Sequence, residues 1–205
     1  MENIMSAFLG PIHLWLYNKI QIQNNLIEEI TNMGEGLIPT LKEELELRYG
    51  VSETRPLEEV IDGSNIHGWL QERVSQAEYK LAFAITSLLN KDADVLHKIE
   101  EVFYLKGEEL SEMLQDADAK KAYKVISDSL LDGMPCDHAN TVLEESEDKV
   151  IWRRNTCVHQ DYWEEVGGDI SNYYKLREAF IEGALQGTAM AYERTDDVTN
   201  VIKRA

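Results

Sequence analysis

Apolar residues recur at helical spacing through the first 133 residues of this chain, and then the pattern stops. Ile12, Trp15, Leu16, Ile20, Leu26, Ile27 and Ile30 mark a first helix. Gly10-Pro11 opens it, with proline near the first turn, and Gly34-Glu35-Gly36 breaks it. Short helices follow Pro39-Thr40 and Pro56. Ser64 or Asn65 caps a long helix through Leu89. Asp92 or Asp94 caps the next, which carries Val95, Leu96, Ile99, Val102, Phe103 and Leu105. A helix from about Asp118 to Leu131 stops at Asp132-Gly133. From 134 to 205 the texture is different. A hairpin pairs Asn140–Glu145 with Val150–Cys157 around Ser146-Glu147-Asp148-Lys149, and a final helix runs from about Asn172 to Glu193. The tail after Thr195 reads as polar and loosely held. The expected fold is therefore α+β and mostly helical. A helical bundle (1–133) is followed by a small antiparallel hairpin or sheet and a long C-terminal helix (134–205), packed as one globular unit.

Two features bear on packing. Ala179, Gly183, Gly187 and Ala191 stand four apart on one stripe of the last helix. Each helical glycine costs about 1 kcal/mol against alanine, so a close neighbour is expected there. Ile12-His13-Leu14-Trp15-Leu16 is echoed by Ile66-His67-Gly68-Trp69-Leu70, each near the start of a long helix. This pairing suggests a duplicated helical unit, with His13 and His67 as candidate pocket residues.

The chain has 2 cysteines and 5 histidines, and each cysteine carries a histidine two residues on. The units are Cys136-Asp137-His138 and Cys157-Val158-His159. If the hairpin turn is centred between Glu147 and Asp148, His138 opposes Cys157 and Cys136 opposes His159. All four side chains then leave one face of the hairpin, with opposed Cβ atoms about 4.5–5.5 Å apart. Two thiolates and two imidazoles suit zinc, or another divalent transition metal, in tetrahedral geometry. The same four residues also suit a thiol beside its base, with Cys157 as nucleophile and His138 or His159 as its partner. The plain alternative is two small buried cysteines beside incidental histidines. A shift of the turn by one residue would separate the pairs.

The net charge is -18 and the pI about 4.6, which excludes nucleic acid and anionic membranes as partners. No apolar run approaches the roughly 18–20 residues of a membrane span, and Met1–Gly10 lacks the basic start of a signal peptide. Two cysteines in site positions fit a reducing cytoplasm, and a homodimer is compatible with the composition. Asp94-x-x-His97-x-x-Glu100 puts three ligand types on one helical face, but the second such helix of a di-iron bundle is absent. Gly167-Gly168-Asp169 reads as a turn before a helix cap.

The helix Phe103-Tyr104-Leu105-Lys106-Gly107-Glu108, the hairpin from Glu144 to Cys157 and the strand-end cysteine give the second half of the chain a recognisable layout. In that layout it resembles the L-2-amino-thiazoline-4-carboxylic acid hydrolases and, more distantly, ligand-binding domains of the 4-vinyl-reductase type. The resemblance implies an α+β fold around a small-molecule cavity. It also implies hydrolytic opening of a ring C–N bond, with Cys157 in the position of the active-site cysteine. The expected function is thus a cytoplasmic hydrolase of a small organic molecule, dependent on a bound metal or on a thiol. The alternatives are a binding module that senses ligand, metal or redox state, and a protein whose zinc is purely structural.

Overall fold

The structure is a computed structural model describing residues 9–205; the residues before Leu9, on which the reading of the N-terminus rests, lie outside the described residues. Helices α1 (Pro11–Gly34), α2 (Leu41–Tyr49), α3 (Leu57–Val60), α4 (Ile66–Lys91), α5 (Leu96–Glu108), α6 (Ser111–Leu114) and α7 (Ala119–Ser129) precede the first strand. Strands β1 (Asn140–Glu145) and β2 (Lys149–Arg154), helices α8 (Gln160–Glu165) and α9 (Ile170–Ala184), and strands β3 (Met190–Arg194) and β4 (Thr199–Arg204) complete the chain. The fold is α+β and mostly helical, and among the described residues no helix is long and apolar enough to cross a membrane.

Local chemistry sets the helix starts as expected. Pro11 sits in the first turn of α1, Asn65 accepts from the Gly68 N–H at the start of α4, and Asp118 accepts from the Lys121 N–H at the start of α7. The helices α1 and α4 then run parallel and in register. His13 meets His67, Gln23 meets Glu78, and Gly34 lies under Leu88. The short sequence echo at the two helix starts is therefore a spatial pairing kept for the whole length of the helices.

The end of the chain departs from the expectation. The last helix stops at Ala184 rather than near Glu193, and the segment read as a loose tail is a second hairpin. Gly187 adopts φ 72 in the connecting turn, a conformation that ends the helix. Asp196 holds the β3–β4 turn by accepting from the Val198 and Thr199 N–H groups. The four strands are antiparallel in the order β1-β2-β4-β3, so the C-terminal hairpin docks on β2. Val150, Trp152, Met190 and Ile202 face inward and join one buried cluster with side chains of α1, α4, α5, α7 and α9. Toward the other end of this face the residues become polar: Asn140, Arg154, Arg194 and Asn200.

The small-residue stripe has a partner, but only within the helix that forms. A Cβ on Gly183 would lie 2.0 Å from the Tyr104 carbonyl oxygen, and one on Gly107 would lie 1.9 Å from that of Phe180. The backbones of α5 and α9 thus touch through a reciprocal pair of glycines. Gly187 and Ala191 lie beyond the helix and take no part. Either Gly107→Ala or Gly183→Ala should destabilise the protein by about 2–3 kcal/mol in urea unfolding, because rigid backbone must move apart. Gly36→Ala, with open space around it, should stay within about 0.5 kcal/mol of the parent.

Candidate functional site

The loop after β2 delivers His159 to the centre of the molecule, at the start of α8. Its Nδ1 is 2.9 Å from Glu78 Oε2 of α4, and its Nε2 is 3.4 Å from Asp132 Oδ1 in the turn after α7. Arg177 of α9 grips Asp132 with both terminal nitrogens, at 2.8 and 2.7 Å. Tyr173, one turn earlier, offers its hydroxyl oxygen to Arg177 at 3.2 Å and lays its ring 4.1 Å from the imidazole. Gln23 of α1 donates to the other oxygen of Glu78 at 3.2 Å, and Asn140 donates to Asp132 at 3.1 Å. The His159 and Glu78 side chains are only 2% and 1% exposed, whereas Asp132 and Arg177 are 17% and 13% exposed.

Burial by itself would drive the imidazolium to give up its proton. The Glu78 charge, and the hydrogen bonds that the ring donates to Asp132 and Glu78, outweigh that and hold the His159 pKa up at about 9. Burial would likewise protonate Asp132, but the Arg177 guanidinium, with His159, keeps its carboxyl well below the usual carboxylate range. With a proton on each ring nitrogen and a carboxylate on each proton, His159 has no lone pair to serve as a base at neutral pH. Its expected role as proton acceptor for Cys157 is therefore corrected to that of a cation locked between two acids.

The remaining members of the expected metal set lie in different surroundings. The hairpin register follows the expected turn at Glu144–Ile151, but a bulge at Leu143 shifts it so that Asn140 faces Arg154. Pairing ends there, before Cys157 and His159 and after Cys136 and His138. The Cys157 sulfur accepts from the Tyr174 hydroxyl at 3.0 Å, and the Arg154 guanidinium stacks 3.8 Å from the Tyr174 ring. Burial first, and then the bond to Cys157, raise the Tyr174 pKa, so the phenol remains a donor. Cys136 is exposed in a single 3-10 turn, and His138 sits at φ 47 with its carbonyl accepting from Asn155. The four side chains do not converge, and among the described residues no group of three or more His, Cys, Asp or Glu side chains is arranged to hold a metal ion. Asp94 and His97 are exposed on α5 and its approach, and Asp169 simply caps α9.

Two cavities adjoin these residues. A polar slot between α9 and the inner sheet face is lined by Asp132, Arg154, Tyr174, Arg177, Tyr192 and Arg194, with room for about 20 Å³, roughly one water. Arg177 is paired with Asp132 and Arg194 with Glu178, at 2.8 Å, whereas Arg154 reaches a backbone carbonyl, that of Asp197. The second is an apolar pocket of about 250 Å³ at the starts of α1 and α4, closed by Met134, Pro135 and Cys136. His13 and His67 form one wall, their Nε2 atoms 3.2 Å apart. The Gly10 N–H donates to His13 Nδ1 at 2.9 Å, so the proton of neutral His13 is on Nε2 and is given to His67. Burial, and then His67, lower the His13 pKa and keep the ring neutral.

Glu78, Asp132, Tyr173 and Arg177 do not stand out by motif. One periodic signal was available: Glu78 falls on the face of α4 that carries Val74, Leu81 and Ile85, an acid inside an apolar stripe. No protein-family model, no curated protein and no solved structure matches the chain.

The His159 proton makes a testable contribution to stability. An unfolded histidine titrates near 6.5 and the folded one near 9. The contribution is thus complete below about pH 6.5 and is lost as pH rises through about 9. Lys19, lowered to about 8 by burial, works in the opposite sense, so the informative quantity is the difference between parent and His159→Gln. That difference in unfolding free energy should be about 3–5 kcal/mol at pH 6 and should shrink steadily to pH 10.

Proposed function

We propose that the protein binds a small, largely apolar organic molecule in the pocket between the starts of α1 and α4, and that it holds this ligand rather than transforming it. One observation carries the reading: this cavity of about 250 Å³ combines ligand-like size, an almost wholly apolar lining and a convergent pair of histidines. Leu16, Leu70 and Met134 supply the apolar contact. The His13–His67 pair satisfies itself, so it excludes water without demanding a charged partner. Cys136 at the rim reports occupancy, because a bound molecule covers its sulfur. A ligand-binding or sensing module is the non-enzymatic alternative raised by the sequence, placed here at His13 and His67.

A second reading is favoured by the contact between Tyr174 and Cys157. In this reading the Cys157 sulfur attacks the carbon of a small C–N substrate and displaces the amine, and water then releases the acyl group. Tyr174 steers the sulfur, and Arg154, which has no carboxylate partner among the described residues, attracts a substrate anion. Among the described residues the hydrogen-bond partner of the thiol is the Tyr174 hydroxyl and not a histidine or carboxylate. The binding reading ranks first for that reason.

The two are separated by thiol protection and turnover. Indole and substituted benzenes should raise the melting temperature and slow alkylation of Cys136 while leaving Cys157 unaffected. Ile12→Trp, placed at the half-exposed rim to fill the cavity, should abolish both effects without unfolding the protein. If Cys136 alkylation is indifferent to every such compound, the binding reading fails. Hydrolysis of small cyclic amides that is lost in Cys157→Ser, with an unchanged melting temperature, would establish the second reading instead.

A further inference from the structure

A different cavity lies further along α1, between α1, α2 and the 50–56 strap. It has a volume of about 170 Å³, and its wall includes the Lys80 side chain from the middle of α4. Lys80 is 3% exposed, an unusual state for an amine. A buried ammonium is normally met by a carboxylate. Lys80 instead makes a single hydrogen bond, 2.8 Å to the Ser52 hydroxyl, and no ion pair among the described residues. Ser52 lines the same cavity.

The strap that brings Ser52 there is fixed. Gly50 at φ 82 turns the chain out of α2. Gln76 donates to the carbonyls of Tyr49 and Val51, Tyr17 to that of Arg55, and Gln21 to that of Glu53. The charged groups around the cavity balance: Glu28 and Lys42 pair with each other at 3.8 Å, leaving Glu46 opposite Lys80 without contact. Such a wall attracts neither a strong anion nor a strong cation. It presents the Lys80 amine, the Lys42 amine already paired with Glu28, hydroxyls from Ser52, Thr31 and Thr54, and amides from Asn24 and Asn25. Burial lowers the Lys80 pKa, so the free amine is more abundant than at a surface lysine.

We propose that Lys80 is a reactive amine that captures a small polar aldehyde or ketone in this cavity as a reversible imine. The Nζ lone pair adds to the carbonyl carbon, and the carbonyl oxygen takes up a proton to give a carbinolamine. Loss of that hydroxyl as water, with a second nitrogen proton leaving, forms the C=N bond. Amine and carbonyl thus become imine and one water, with no oxidant or further reactant. Ser52, hydrogen-bonded to Nζ, is placed to pass the proton from nitrogen to the departing oxygen. Lys19 provides an internal contrast. It is equally buried and its pKa is lowered to about 8, but its ammonium is stacked 3.8 Å over the Trp15 ring and is not in this wall.

The experiment is reductive trapping on the intact protein. Glyceraldehyde and cyanoborohydride at pH 7, followed by peptide mapping, should place the secondary amine first on Lys80. A lowered pKa leaves more of Lys80 as free amine at pH 7, so it should be modified before exposed Lys98 and Lys120. Lys19 should lag behind Lys80. Lys80→Arg, which keeps the charge, should remove the fast phase and leave the surface lysines unchanged. Ser52→Ala should slow Lys80 alone. Adducts spread over the surface lysines with Lys80 unmodified would overturn the proposal, as would a fast phase that survives in Lys80→Arg.

Discussion

Four acidic and basic side chains link up at the centre of this protein: Glu78 and His159, which are almost wholly buried, and Asp132 and Arg177, which are 17% and 13% exposed. Each would be costly to bury alone, and the arrangement is tolerable only because every charge faces its opposite within hydrogen-bonding distance. The four come from α4, from the turn after α7, from the loop after β2 and from α9, so this linear chain of contacts can be complete only when these segments have met. Removing one member leaves another without its partner. The cluster therefore acts less as a source of net stability than as a condition on how the helices and the sheet are assembled.

Around this charged cluster the packing is set by close backbone approach. The helices α1 and α4 lie parallel and in register from His13–His67 to Gly34–Leu88. The helices α5 and α9 touch through Gly107 and Gly183, which leaves no space for side chains between them. Parallel helices put their two starts side by side. This is why two similar short stretches, far apart in the chain, come to share one apolar pocket. The Met134–Cys136 turn closes that pocket, while Asp132, only two residues before it, belongs to the charged cluster. One short segment thus borders both the charged centre and the apolar cavity.

Much of the helical layout was legible in the chain. The starts of α1, α4 and α7 follow from Pro11, Asn65 and Asp118, each doing local work that requires no tertiary partner. The first hairpin was legible for the same reason, since alternation and a polar turn are local. The site was much less so. The opposition of Cys136 with His159 and of His138 with Cys157 assumed regular pairing, and one bulge at Leu143 was enough to undo it. A bulge depends on how the strand meets its neighbours, which a spacing argument does not contain. The second hairpin was missed because Met190–Arg194 carries helix-compatible residues. It becomes a strand through docking of its partner β4 on β2.

The sequence by itself determined where the helices begin, that a hairpin follows Asp132-Gly133, and that the chain carries a net charge of -18. Those properties reside in local propensity and total charge, which every conformation of the chain shares. Only the tertiary structure decided that His159 would be a trapped cation rather than a base, and that Cys157 would answer to Tyr174. It likewise decided that His13 and His67 would wall the apolar pocket together with Cys136, and without His138, Cys157 or His159. Protonation and contact depend on which distant groups arrive within a few ångströms and on how much water they exclude, and spacing along the chain encodes neither.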